Sequence, residues 1–203
     1  MRKLEPGSAV AGYRIEAVER TDRDAIVLRA GEVLLHVSED ARYLDRARRL
    51  RSVEHPHLLR LRSALELDGR PVAVLQAPAG TRLDRASPPD PIAFVQQLAG
   101  AVEALEDAGA DVPPITRERI WVDERGEALL DGLGAHSHGV SPAAELARLL
   151  EELAPRRSPP LELALTRARD GAYLSAGQFA ADLARAAEPS HERRRWPFRG
   201  NLN

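Results

Sequence analysis

The sequence of 203 residues contains no cysteine, which excludes disulfides, thiolate nucleophiles, zinc knuckles and iron–sulfur clusters. Lysine is almost as scarce, because only Lys3 among the 29 basic residues is a lysine. A phosphate-loop, Schiff-base or buried catalytic lysine would have to be that third residue. Aromatic residues make up 4% of the chain, so the core must be built on Leu, Val, Ile and Ala.

Long apolar runs and a strong net charge are also missing. No stretch approaches the roughly 18 apolar residues of a membrane span, and the first ten residues lack the apolar part of a signal peptide. The 29 basic and 31 acidic side chains give a net charge of -2. No overall field therefore attracts nucleic acid, and a nucleic-acid partner is not expected. We expect a cytoplasmic protein.

The first third of the chain predicts short strands in one antiparallel meander. Residues 13–18, 25–30 and 33–37 are apolar or alternating runs, and 58–61 and 71–75 are two more. Between the third and fourth runs, apolar residues recur at helical spacing until His55-Pro56, where the proline ends the helix. Residues 1–76 are therefore predicted to form five strands with one helix after the third.

Beyond residue 77 the pattern becomes helical. Proline and glycine at 77–91 interrupt regular structure, and Asp90-Pro91 is typical of a helix start. Residues 120–122 and 128–130 predict a small hairpin, and further helices are expected near 141, 161 and 175. We therefore predict a second, mainly helical unit over 77–188 and a basic, flexible tail over 189–203.

Four segments resemble a protein kinase domain, in the same order along the chain. Residues 4–15 resemble the opening of bacterial serine/threonine kinase domains, and 53–59 resemble the segment after their αC helix. Residues 68–76 resemble the strand before the interlobe hinge, and 120–130 the hairpin before the magnesium motif. The resemblance implies an α+β, kinase-like bilobal fold. Its N-lobe is a five-stranded antiparallel sheet with one αC-like helix, and its C-lobe is shortened and mainly helical.

The kinase positions hold residue types that do not suit kinase chemistry. The glycine-rich turn corresponds to residues 20–25, which contain no glycine and two acids that would repel phosphate. His36 corresponds to the third-strand lysine and Arg46 to its glutamate partner on the αC helix. Pro114 corresponds to the catalytic base, Thr116 to a phosphate-contacting lysine, Arg119 to the asparagine ligand and Gly132 to the magnesium-binding aspartate. Asp131 lies one residue before the metal position, and we expect a one-residue slip to turn its side chain to the other face.

The resemblance therefore implies a catalytically inactive pseudokinase, not an enzyme, with no cofactor, no metal ion and no bound ATP. Its function would be regulatory or scaffolding, through an unidentified protein partner. One alternative is an atypical kinase or nucleotide-binding protein with non-standard site residues, such as Asp131 as metal ligand. Another is a membrane-peripheral protein, close to the membrane, that acts through its tail. The tail residues suited to an acidic partner or, weakly, to an anionic membrane are Arg193, Arg194, Arg195, Trp196 and Phe198.

Three other groups of residues favour structural roles. The pairs His55/His57 and His136/His138 are interpreted as solvated loop histidines, since no cluster of further ligands stands beside them. We expect His36 to be a partly buried, hydrogen-bonded histidine rather than a switch. The arginines of the αC-like helix predict a solvated face more than a docking face for an acidic partner; they are Arg42, Arg46, Arg48, Arg49 and Arg51.

Overall fold

The computed structural model describes residues 4–135 and 139–188. The strands are β1 (Ala9–Val10), β2 (Tyr13–Arg14), β3 (Ala17–Thr21), β4 (Ile26–Ala30), β5 (Val33–Val37), β6 (Leu61–Leu67), β7 (Arg70–Gln76), β8 (Thr81–Arg82), β9 (Ile120–Val122) and β10 (Ala128–Leu130). The helices are α1 (Tyr43–Leu50), α2 (Pro91–Asp107), α3 (Pro142–Leu153), α4 (Pro159–Arg169) and α5 (Ala176–Ala187). We call residues 4–76 the N-lobe and 77–188 the C-lobe.

The N-lobe is a five-stranded antiparallel sheet in the order β3-β4-β5-β7-β6, with α1 between β5 and β6. Asp68 and Gly69 join β6 to β7 with φ values of 51° and 75°. A two-residue hairpin turn of this kind needs positive φ at both positions, which aspartate and glycine tolerate best. The number of strands and the place of the helix agree with the sequence-based expectation.

Two predicted strands were wrong in their bounds. The run at 13–18 is split, because Tyr13 and Arg14 pair with residues 9–10 and β3 begins only at Ala17. The run at 58–61 belongs to a strand that starts at Leu61, whereas Leu58 makes an isolated parallel bridge to Leu130. β6 lies at the edge of the sheet and carries exposed charged residues, which hides its apolar pattern in the sequence.

The C-lobe helices begin where the sequence predicts them. Asp90 accepts hydrogen bonds from the backbone N–H groups of Ile92 and Ala93, and proline occupies the first turn of α2. Ser175 caps α5 through the N–H of Gln178. A small sheet in the order β10-β9-β8 packs against α2 through β10. No helix within 4–135 and 139–188 is both long and apolar enough to cross a membrane.

Two buried clusters lie on opposite faces of the N-lobe sheet, because successive strand residues point to opposite sides. Leu28 and Leu35 belong to the cluster under the β1–β2 hairpin. Val27 and Leu34 belong to the other cluster, which continues into the C-lobe through Trp121 and the faces of α2 to α5. The N-lobe and the C-lobe therefore share one apolar core.

Candidate functional site

The segment between β3 and β4 contains charged residues at alternate positions, and it contacts the C-lobe. We call residues 20–25 the β3–β4 turn; Arg20, Asp22 and Asp24 are partly buried, whereas Thr21 and Arg23 are exposed. Arg20 and Thr21 still belong to β3 and residues 23–24 form a bend, and along this segment the three charged side chains turn inward. Each of them pairs with an oppositely charged residue elsewhere in the protein.

Asp131 is the centre of the first of these contacts. Its side chain is fully buried, and its Oδ2 atom pairs with the guanidinium of Arg20 and lies 3.1 Å from Nε2 of His36. Its Oδ1 atom accepts the backbone N–H of Leu133 at 3.1 Å. Burial alone would raise the pKa of this carboxyl, but the interactions with His36 and Arg20 outweigh burial and hold the pKa well below its ordinary value.

The expected orientation of Asp131 was wrong. We expected its side chain to point away from the site, but it contacts His36, the residue at the third-strand lysine position. β10 ends at Leu130, although the backbone N–H of Asp131 still donates to the carbonyl oxygen of Arg119. The side chain of Asp131 turns to accept the N–H of Leu133, so strand alternation no longer sets its direction. Gly132, which the sequence alignment placed at the metal position, instead packs beside Leu58 and Leu105.

His36 is completely buried on β5. Its Nδ1 atom lies 2.7 Å from the hydroxyl oxygen of Tyr43, the first residue of α1. Burial, followed by the charge of Asp131, raises the pKa of Tyr43 well above its ordinary value, so the phenol stays neutral. His36 is thus a hydrogen-bonded histidine, as expected, but fully rather than partly buried.

Arg119, which the sequence resemblance assigned to the position of the asparagine ligand, is also buried. Nη2 donates to Oδ2 of Asp22 at 2.6 Å, and Nη1 donates to the carbonyl oxygen of Leu133 at 2.9 Å. Gly134 lies against this guanidinium, since a Cβ atom there would be 2.9 Å from Nη1. Asp22 also accepts from Nε of Arg20 at 3.0 Å, so the two arginines share one carboxylate.

These contacts form one connected group, which we call the interlobe cluster. Its members combine residues of the β3–β4 turn, β5 and α1 with C-lobe residues from the ends of the β9–β10 hairpin; they are Arg20, Asp22, His36, Tyr43, Arg119 and Asp131. Sequence reasoning identified His36, Arg119 and Asp131, but missed Arg20, Asp22 and Tyr43 as their partners. The alternating charges of the β3–β4 turn were the available signal.

Arg46 pairs with three carboxylates and was wrongly expected to lie on a solvated face. Its side chain is 14% exposed, and its nitrogens lie 3.2 Å from Asp24, 3.1 Å from Asp40 and 3.3 Å from Asp111. Asp24 and Asp40 belong to the N-lobe and Asp111 to the C-lobe, so Arg46 joins α1 to both. The side chain of Arg48 is 71% exposed, and those of Arg42, Arg49 and Arg51 also lie on the surface.

A cleft of about 1330 Å³ opens beside these ion pairs. Pro114 and Thr116, which the sequence resemblance assigned to the positions of the kinase base and a phosphate-contacting lysine, line it together with Asp22, Arg46 and Arg119. The cleft is therefore polar, and solvent reaches the outer edge of the interlobe cluster.

The structure describes only one of the two histidine pairs, His55/His57. His57 Nδ1 lies 2.9 Å from the carbonyl oxygen of Ala128, and burial, followed by His57, lowers the pKa of His55. Within 4–135 and 139–188, no group of three His, Asp or Glu side chains is arranged to hold a metal ion. His136 and His138 lie outside the described residues. The same is true of the tail contacts proposed at Arg193, Arg194, Arg195, Trp196 and Phe198.

Solved bacterial kinase domains have a similar structure. The PknI kinase domain of Mycobacterium tuberculosis aligns with a TM-score of 0.65 and 21% identity, over 91% of this chain and 100% of that chain. A double mutant of the same domain gives a TM-score of 0.68 with 18% identity, over 91% of this chain and 100% of that chain. The apo form of PpkA-294 gives 0.62 and 17%, over 93% of this chain and 100% of that chain. No protein-family model and no curated protein matches the sequence. At these identities the similarity establishes the fold alone, and the predicted kinase-like bilobal α+β fold is confirmed.

Proposed function

Since the chain has a protein kinase-like fold, we propose that it is a catalytically inactive pseudokinase module that acts by binding a protein partner. The observation that carries this proposal is the interlobe cluster. The cluster uses the side chains nearest to the kinase catalytic positions to bind one another. Because these side chains are paired with one another, we infer that the fold acts by presenting a surface.

The donor set does not fit a nucleotide with its magnesium ions. Phosphoryl transfer in kinases uses a lysine on the phosphates, a carboxylate on the metal, a base and a glycine-rich loop. Here the carboxylate of Asp131 is taken by Arg20, and a divalent cation would have to displace that guanidinium. Pro114 has no group that accepts a proton. The two acids of the β3–β4 turn oppose phosphate charge.

If the chain binds no nucleotide, the role that remains for the module is to bind a protein partner. A regulatory or scaffolding domain needs a defined surface, and the ion pairs between the lobes fix their relative position. The partner we propose is a protein, whether or not the basic tail at 193–198 adds an acidic or membrane contact.

Nucleotide binding by the full chain is the decisive measurement. We expect millimolar ATP with Mg²⁺ or Mn²⁺ to leave the melting temperature unchanged, because a ligand far below its Kd adds no stability. An active kinase domain is the positive control, and a labelled-ATP phosphotransfer assay is the second readout. A ligand at about 100 times its Kd adds about 2.7 kcal/mol. A metal-dependent rise of several degrees, or transferred label, would contradict the proposal.

One observation favours a second candidate, a nucleotide-binding protein with non-standard residues. The carboxylate of Asp131 lies 3.1 Å from His36, the residue that the sequence resemblance assigned to the third-strand lysine position, which supports Asp131 as a candidate metal ligand. If that role existed, Asp131→Asn would abolish a metal-dependent thermal shift that the wild type possessed. If the wild type has no shift, this candidate is excluded.

A further inference from the structure

We propose that Asp22 and Asp24 act as an internal anionic ligand. They occupy Arg119 and Arg46, which form a latent site for a phosphate-type anion. The inference rests on the proposed function, since it explains how the arginines beside the kinase-like cleft are paired without nucleotide. It also adds a binding property that these internal ion pairs conceal.

Asp22 makes the tighter of the two contacts. Its Oδ2 atom lies 2.6 Å from Nη2 of Arg119, and the two side chains are 15% and 5% exposed. Charge-assisted hydrogen bonds to guanidinium are about twice as strong as neutral ones, and a phosphate oxygen can occupy the same position as a carboxylate oxygen. Arg119 already donates to the carbonyl oxygen of Leu133, which fixes the guanidinium in place.

Asp24 makes the second contact, at Nη1 of Arg46. The distance is 3.2 Å, and the side chains are 11% and 14% exposed. Arg46 is held on its other side by Asp40 and Asp111, so it stays in place when Asp24 loses its charge. The two arginines belong to different lobes, and both are oriented before any external anion arrives.

The inner face of the β3–β4 turn thus presents two carboxylates to two fixed guanidinium groups. Asp22, Asp24, Arg46 and Arg119 all line the cleft of about 1330 Å³, which gives small solutes a path to them. Arg20 does not line the cleft, but its Nη1 atom behind Asp22 is buried without a hydrogen-bond partner in the described part of the chain. Six arginines and six carboxylates line the cleft, so neutralising Asp22 and Asp24 would leave six arginines against four carboxylates. A cleft with this excess of positive charge attracts polyanions.

The test measures binding of inorganic pyrophosphate, without divalent cation, to the full chain. We compare wild type with the variant Asp22→Asn/Asp24→Asn, which keeps side-chain volume and removes two charges. The expected result is at least about tenfold tighter binding by the variant, seen by calorimetry and as a rise in melting temperature. Asp68→Asn is the matched control, because it removes an exposed acid of the β6–β7 turn that does not line the cleft, and asparagine tolerates the positive φ there. Sodium chloride at equal ionic strength must not reproduce the rise.

Two further variants protect the test against misfolding and nonspecific binding. Asp24→Asn alone leaves Arg46 two carboxylates, so it is expected to fold and to bind pyrophosphate more tightly than wild type. Adding Arg119→Leu to the double variant should remove the gain. Equal affinity of wild type and Asp24→Asn, or a gain that survives Arg119→Leu, would overturn the inference. Those results would leave the proposed function standing, whereas a metal-dependent ATP shift of the wild type would overturn the proposed function first.

Discussion

Replacing Asp131 by asparagine should be among the most destabilising isosteric changes in this protein. The side chain is fully buried, and its charge is paired with Arg20 and lies beside His36. Removing one partner of a buried ion pair costs about 3–5 kcal/mol, because the other charge remains buried. Asparagine keeps the acceptor for the N–H of Leu133, and Arg20 keeps its contact with Asp22. We therefore expect the lower end, about 3 kcal/mol.

Thermal and urea unfolding measure this loss directly. For a domain of 150–250 residues, 1 kcal/mol shifts the melting temperature by about 2–4 °C, so the variant should melt about 6–12 °C below wild type. Asp45→Asn serves as control, because exposed ion pairs contribute only about 0–1 kcal/mol. A drop of less than about 2 °C for Asp131→Asn at neutral pH would show that the buried pair is not charged, and it would refute the electrostatic reasoning.

The pH dependence of the same pair of proteins gives a second check. The pKa of Asp131 is depressed in the folded protein, so its charge contributes stability above the unfolded pKa of about 3.9. That contribution is lost as the pH falls through the range between the unfolded and the folded pKa. The difference between wild type and Asp131→Asn should be constant from about pH 8 to 5 and should shrink below about pH 4.

Three other predictions concern a backbone contact, an ion pair and a tyrosine. Gly80→Ala should cost several kcal/mol more than Gly69→Ala by urea unfolding: both glycines have positive φ, but only a Cβ at Gly80 would strike the backbone of the β9–β10 hairpin. Equal losses would contradict this. Arg46→Lys should destabilise the protein by about 2 kcal/mol, because an ammonium group cannot reproduce the three-way guanidinium contact; a wild-type melting temperature would be the opposing result. Burial, with the hydrogen bond to Asp182, raises the pKa of Tyr173 to about 12, so Asp182→Ala should lower the pH of phenolate formation in an ultraviolet titration. An unchanged titration would show that Asp182 does not raise the pKa of Tyr173.

The fold could be predicted because its signals are local. The apolar runs at 25–30 and 33–37, the Asp68-Gly69 turn and the helix caps at Asp90 and Ser175 all depend on residues that are close in sequence. The bounds of β6 were missed because an edge strand mixes charged with apolar residues.

The site could be predicted only in part. The substituted kinase positions were visible by their order, but their partners were not, because each contact joins distant segments. Arg20 and Asp131 are 111 residues apart, and Asp22 and Arg119 are 97 apart. Asp131 was assigned to the wrong face because strand alternation was extended one residue past the end of β10. Its direction depends on the turn that follows, which no periodic pattern reveals.

The apolar core shared by the two lobes has a consequence for synthesis of the chain. Val27 and Leu34, on one face of the N-lobe sheet, belong to the same buried cluster as Phe179 and Leu183 of α5. On the ribosome the strands emerge early and α1 packs against their sheet, whereas α5, which completes the shared cluster by packing on α2, emerges after every other described helix and strand. The shared core is therefore incomplete until α5 has been made. A truncation that removes α5 is predicted to leave nascent chains that aggregate, rather than a smaller folded protein.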